Sequence, residues 1–424
     1  MRALLGDPGE LTAGDYARFV RRCALLAMMP DYLAHGQPYL ALNAVVLTPR
    51  EHHRLQHLSE AFVSAFFRAG CALAQDVARL EEMGFPWVAA ELLAAEQPRL
   101  PVTGRFDFVE DRAGRWWLLE FNADTPSGIR EALGAEAQVR RLLTQAAGLE
   151  CPNDHLAPRL RAAFTQCAGP FDGRSGALGL VTVASELEDL MQMAFLQRLL
   201  DGLPEWGGRP VILGDIDNLR PAGSGVSLSG RPISALYRYV PFETMFGSPP
   251  FAAICNAVAA ERLLLINGLF GLLLQHKGLM AWVWEHRDDR LFSNAERAAI
   301  KSHLVPTWYI EDPRSPSERA GLVAKQVFGR EGEEVFFGGD LTAKQWDALR
   351  RRGTYVAQTR IDVAPFPAAV VTDREHGVRT GAVTVGAYTA GPRFAGYYSR
   401  FGGRIINSRA LWFATLTDPS GEQA

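Results

Sequence analysis

The segment from Arg105 to Asn122 constrains this chain more than any other. Arg105-Phe-Asp-Phe-Val109 and Trp116-Trp-Leu-Leu-Glu-Phe-Asn122 alternate in character, and Glu110-Asp-Arg-Ala-Gly-Arg115 between them is a turn candidate. A turn centred between Ala113 and Gly114 pairs Arg105 with Asn122, Phe106 with Phe121, Asp107 with Glu120 and Phe108 with Leu119. Side chains two apart on a strand share a face. One face of this predicted hairpin is therefore aromatic, and the other gathers Arg105, Asp107, Glu120 and Asn122. Two carboxylates and an amide oxygen are hard ligands suited to Mg²⁺ on polyphosphate oxygens. A guanidinium beside them suits a phosphoryl group in transit. An ordinary hairpin with one solvated face has the same pattern, and a slip of one residue would scatter the four groups.

At 424 residues the chain is long enough for more than one packed subdomain. A formal net charge of -3 gives no basic surface for nucleic acid or anionic membrane as the main partner. Cys23, Cys71, Cys151, Cys167 and Cys255 are scattered, odd in number and without a CxxC spacing, which fits reduced thiols. The opening residues lack the apolar core of a signal peptide. The apolar run Leu263 to Gln275 is shorter than the ~20 residues that span a bilayer. A soluble, cytoplasmic protein is the expectation.

Along the chain, residues 1–100 read as a helical region, with three-to-four apolar spacing over Leu58–Arg79 and Trp87–Ala95. His52, His53 and His57 have no carboxylate or cysteine pattern beside them, and a solvated helix start explains them. Residues 101–175 hold the hairpin, a further helix and a loop at Gly169–Gly173. In 176–260, Gly179–Val183, a helix over about Glu186–Leu203 and Pro210–Gly214 give strand, helix and strand, a small parallel α/β unit. Residues 261–424 run helix-rich to about 304, and from Leu322 to Trp412 read as strands with glycine-rich turns.

Two lysines stand out in the last segment. Lys277 and His276 are the only ionisable residues between Arg262 and Glu285, so the ammonium must either snorkel to water or face an anion such as phosphate. Lys325-Gln-Val-Phe-Gly-Arg-Glu-Gly332 takes a lysine from a strand into a paired-glycine turn, whose backbone amides can approach phosphate. It is not a Walker A sequence. Tyr355-Val-Ala-Gln-Thr-Arg-Ile361 alternates as a strand, and Gln358 on it can meet an adenine edge or simply belong to the core.

Together these segments resemble the glutathionylspermidine synthase family, whose synthetase domain is a circularly permuted ATP-grasp. The resemblance runs from about Arg105 to the C-terminus. Arg105-x-Asp107 with Leu119–Thr125 resembles the family's magnesium hairpin. Leu274–Leu279 and Lys325–Gly332 are similar to its two nucleotide-binding lysine motifs, and Arg393–Arg400 with Ile405-Ile-Asn407 to its closing strands. The resemblance implies an α+β and α/β chain: an ATP-grasp with a helical N-terminal region and a small parallel subdomain. It implies metal ligands Asp107, Glu120 and Asn122 for two Mg²⁺ ions, and a catalytic Arg105. ATP would be held by Lys277, Lys325, Gly329, Gly332 and Gln358. Substrate contacts would come from Thr125, Ser127, Glu188, Asp189 and Arg400, although an acidic first turn of a helix also explains Glu188 and Asp189.

The implied activity is ATP-dependent joining of a small-molecule or peptide acid to an amine, a polyamine in the family's case, through an acyl-phosphate. A peptide or amino-acid ligase with other substrates, a kinase and a non-catalytic ATP-binding regulator are the alternatives. The departures from the family are Gln326 after Lys325 in place of proline, Gly128 where some members carry cysteine, and no room for an amidase domain.

Overall fold

The computed structural model describes residues 1–424 apart from 31, 32, 35, 169–175, 203–208, 331 and 422–424. The Gly169–Gly173 loop read from the sequence lies outside the described residues. Among them the chain forms three main sheets, with helices packed between and around them.

The largest sheet runs Arg2–Ala3, Leu40–Leu47, Leu411–Thr417, Arg393–Gly402, His376–Ala390, Gly104–Glu110 and Trp116–Asn122. Phe366–Val371 pairs with the first half of His376–Ala390. The alternating segment is thus a hairpin at one edge of this sheet. Asp111 shapes its turn by accepting from the Ala113 and Arg115 amides, both at 2.9 Å. Its inner face packs on the helix Pro49–Leu73, whose start is fixed by a capping box between Thr48 and Glu51 with proline in the first turn. The Phe106 and Phe121 rings stack at 3.8 Å, and Phe66 meets Phe121 edge-on at 5.6 Å.

The first 100 residues are not purely helical. Leu40-Ala-Leu-Asn-Ala-Val-Val-Leu47 is a strand of the large sheet, parallel to Leu411–Thr417 and buried at every position. Both of its faces are covered: Ala41, Val45 and Leu47 enter one core with Phe62 and Phe66, while Leu40, Leu42 and Ala44 enter another with Tyr16 and Phe19. A strand buried on both sides shows no alternation, so helical spacing masked it.

The second sheet contains the expected parallel unit. Val211–Asp215, Ala177–Thr182 and Arg231–Arg238 are mutually parallel neighbours, with the helix Leu187–Leu200 against the first two. Leu264–Ile266 adds a further parallel strand, so the unit extends past residue 260. The third sheet, antiparallel, is Thr307–Tyr309, Tyr355–Thr359, Leu322–Gln326 and Val335–Phe337. Between its strands lies a helix, Ala343–Arg352, where the sequence had suggested only strands and turns. Thr342 and Gln345 form a capping box there, and Gly353 ends the helix at φ 65°, signals that outweigh a nearly all-polar run.

Phe106→Ala removes one ring of the stack beneath the hairpin. It should lower the unfolding free energy by about 3–5 kcal/mol, read as a reduced urea midpoint at unchanged slope.

Candidate functional site

The outer face of the hairpin, the end of the parallel sheet and the third sheet enclose one cavity of about 600 Å³. The hairpin pairing places Arg105 opposite Asn122, Phe106 opposite Phe121 and Asp107 opposite Glu120. Beyond Asp107 the register shifts, and Phe108 faces Leu118 instead of Leu119. The extra residue is a β-bulge: Leu118 turns into the core while Leu119 and Glu120 both turn outward. The Leu119 carbonyl is a hub within the cavity wall, accepting from Lys325 Nζ at 3.4 Å and Gln358 Nε2 at 3.3 Å.

Arg105 and Asp107 are buried and joined by two hydrogen bonds, Nε to Oδ1 at 2.7 Å and Nη2 to Oδ2 at 3.0 Å. Asn122 Nδ2 donates to the same Oδ2 at 3.0 Å. Burial lifts the Asp107 carboxyl above its usual range against the pull of Arg105. Burial acts on Glu120 in the same direction, but Lys277, Lys325 and Arg105 together hold it below the usual range. Glu120 is therefore the ionised, accessible member of the pair, its side chain 31% exposed. The donor set of two carboxylates and an amide oxygen fits a hard divalent cation. Among the described residues no group of three or more His, Cys, Asp and Glu side chains is arranged to hold a metal.

Lys277 does not snorkel. It opens the helix Lys277–Glu285, is buried, donates from Nζ to the Gly329 carbonyl at 2.6 Å and lies 3.7 Å from Glu120. Its neighbour His276 accepts from the Gly278 amide, and burial with the adjacent Lys277 charge lowers it to about 3, so it is neutral. Lys325, the penultimate residue of the strand Leu322–Gln326, lines the cavity. Burial lowers its ammonium to about 8, helped by Lys277 and opposed by Glu120. Gly329 and Gly332 line the opposite side, Gly332 at φ 73°, where a Cβ would lie 2.8 Å from the Ile406 carbonyl. Gln358 is buried, and its amide nitrogen reaches Thr307 Oγ1 at 3.1 Å as well as Leu119.

Thr125, Ser127, Glu188, Asp189 and Arg400 line the same cavity. Ser127 accepts from Arg105 Nη1 through its carbonyl at 3.0 Å. Glu188 and Asp189 occupy the first turn of Leu187–Leu200 at the carboxyl end of the parallel strands. Arg400 donates to the Asn407 carbonyl. Gly128 follows at φ 96°, and a Cβ there would come within 2.3 Å of the Tyr398 ring. Tyrosines occupy the space of any side chain at position 128.

The sequence reading passed over Arg330 and Asp124. Arg330, in the glycine turn, donates to Asp124 Oδ2 at 2.8 Å, to Thr125 Oγ1 at 2.9 Å and to both Glu243 oxygens. Asp124 is fully buried and also receives Arg238, itself buried at the end of the strand Arg231–Arg238. Gln275 accepts from the Ala123 and Asp124 amides at 3.1 Å, two residues before Lys277. This one junction ties the hairpin exit, the first lysine and the glycine turn together. Both residues lie inside segments the sequence singled out, but pairing over such a separation leaves no local signal.

No helix among the described residues is long and apolar enough to cross a membrane. A family described as glutathionylspermidine synthase preATP-grasp matches residues 24–416. Among solved structures, a glutathione synthetase-like effector from Globodera pallida in its apo form superposes with a TM-score of 0.65 at 11% identity, over 95% of each chain. At that identity the likeness is one of fold. A putative gamma-glutamylcysteine synthetase from Methylobacillus flagellatus gives a TM-score of 0.42 at 12% identity, over 84% of this chain and 85% of that one. A search of curated proteins gives no match.

Asp124→Ala leaves Arg238 buried without its carboxylate. The loss of stability should be about 3–5 kcal/mol, measured by urea unfolding. Asp124→Asn, which keeps the volume and one acceptor, should lose less.

Proposed function

The chain belongs to the glutathionylspermidine synthase family, and on that premise we propose that it is an ATP- and magnesium-dependent carboxylate–amine ligase acting through an acyl-phosphate. In this reading the fold is a circularly permuted ATP-grasp. Residues 101–175 and 261–424 supply the nucleotide site, and 176–260 the adjoining α/β subdomain. The observation that carries the reading is the convergence of Arg105, Asp107, Glu120 and Asn122 with Lys277 and Lys325 on one cavity.

The chemistry follows from charge. Lys277 and Lys325 neutralise the ATP phosphates, the Gly329–Gly332 turn brings backbone amides to them, and Gln358 lies at the adenine end. Asp107, Glu120 and Asn122 would hold Mg²⁺, which when bound screens the polyphosphate and withdraws charge from it. Ionised Glu120 is ready for that role, and Asp107 must loosen from Arg105 to share it. Arg105, once released, faces the phosphoryl group as the substrate carboxylate attacks and ADP departs. Thr125, Ser127 and Arg400 adjoin it on the acid's side, and Glu188 and Asp189 offer charge to an amine. Positioning and charge compensation are sufficient, without a protein nucleophile.

Glutathione with spermidine, the pair in the family's name, is the first substrate pair to test. A different acid is a second reading, favoured by Gly128, because Tyr398 leaves no room there for the cysteine that some members carry.

ADP release against a panel of acids and amines tests the reaction class, and release should require an acid–amine pair. Arg105→Ala should abolish amide formation while ATP affinity stays within about tenfold. Total loss of nucleotide binding contradicts its assigned role.

Lys325 titrates near pH 8 in the free protein, and bound phosphate favours its charged form. Above pH 8 nucleotide binding must therefore take up a proton. ATP affinity should weaken by about tenfold between pH 7 and 9, read by calorimetry, and Lys325→Met should flatten the dependence.

A further inference from the structure

Behind the cavity wall lies a chain of hydroxyls that the mechanism above leaves unused. Tyr398 lines the cavity beside Ser127, Glu188 and Asp189, with the Arg105 guanidinium 4.7 Å above its ring. Its hydroxyl meets the Tyr39 hydroxyl at 2.5 Å, and Tyr39 donates to Glu131 Oε1 at 2.9 Å. Glu131 is 1% exposed, and its second oxygen, Oε2, has no hydrogen-bond partner among the described residues. A buried carboxylate with a vacant acceptor is costly. The chain is held in place by neighbours: Gly128 admits the Tyr398 ring, and the Trp412 amide donates to the Tyr39 carbonyl at 2.7 Å. The titratable groups facing it are Arg105, Arg400, Glu188, Tyr239, Tyr388 and Cys23.

Amide formation needs a proton acceptor. An amine enters as an ammonium, which has no lone pair to attack with, and a proton must leave it first. We infer that Tyr398, Tyr39 and Glu131 form a relay that removes this proton from the substrate ammonium, an inference that rests on the ligase reading above. The ammonium proton passes to the Tyr398 oxygen as the Tyr398 proton passes to Tyr39 and that of Tyr39 to the Glu131 carboxylate. Each tyrosine ends neutral, and Glu131 carries the proton. The free amine then forms the C–N bond, the C–O bond to phosphate breaks with its electron pair, and the departing phosphate takes the second nitrogen proton. Glu131 returns its proton through Tyr39 and Tyr398 to water in the emptied cavity before the next turnover. Tyr398 is the member at the cavity, while Tyr39 and Glu131 act through it.

The test compares two nucleophiles on the same acyl-phosphate: spermidine, which is cationic at neutral pH, and hydroxylamine, which is neutral. Glutathione serves as the acid, or whichever acid of the panel turns over. In Glu131→Gln and Tyr39→Phe, amide formation with spermidine at pH 7 should fall by about 10²–10⁴-fold. The deficit should shrink as the pH is raised and free amine becomes available. Hydroxamate formation should remain near the wild-type rate, which also shows that the variants fold and activate the acid. Equal losses with both nucleophiles, or no loss with spermidine, overturn the relay. A wild-type protein that forms no hydroxamate from any acid overturns the ligase reading itself, and the relay with it.

Discussion

Phe106 and Phe121 stack across the two arms of one hairpin at 3.8 Å, and Phe62 and Phe66 of the underlying helix close over them. Because strand side chains alternate, burying these rings forces Arg105, Asp107, Glu120 and Asn122 to the opposite face. A slip in register would turn the charged set into the aromatic core, at a cost no hairpin could meet. The hydrophobic face thus acts as a ratchet for the polar one. The bulge at Leu119 adds a carbonyl to the polar side without disturbing the three pairs that matter.

Charges gathered in a confined cavity have to be balanced before a ligand arrives. Asp107 is engaged by Arg105, Glu120 by the nearby lysines, and Arg330 by Asp124 and Glu243. Arg105 and Asp107, joined by two hydrogen bonds, must part for an entering polyphosphate and cation, whereas the contact to Glu120 is looser. Lys277 faces Glu120 at 3.7 Å, longer than a close hydrogen bond. A balanced set of charges can be re-partnered on binding, as the proposed phosphoryl transfer by charge compensation requires. Asp124 is the exception: fully buried and held by two arginines, it is the fixed point to which the glycine turn is fastened.

Much of this arrangement was legible in the sequence, because it lies in local patterns. Alternation gave the hairpin and its pairing through Asp107–Glu120, and strand–helix–strand spacing gave the parallel unit. All residues singled out as site candidates line a single cavity. What escaped had physical reasons. The Leu118-Leu119 pair is apolar at both positions, so composition did not mark which residue would bulge. Leu40–Leu47 is covered on two faces and carries no period of two. Arg330, Asp124, Tyr39 and Glu131 act through partners far away in the chain, and only the fold brings those partners together.

The proposed ligase reaction depends on transfer of a phosphoryl group to a carboxylate before any amine attacks. An acid substrate labelled with ¹⁸O in its carboxylate follows that step directly. If the acyl-phosphate forms and is then opened by the amine, the phosphate released during amide synthesis carries one ¹⁸O from the acid. Unlabelled phosphate, released alongside ADP, would contradict it.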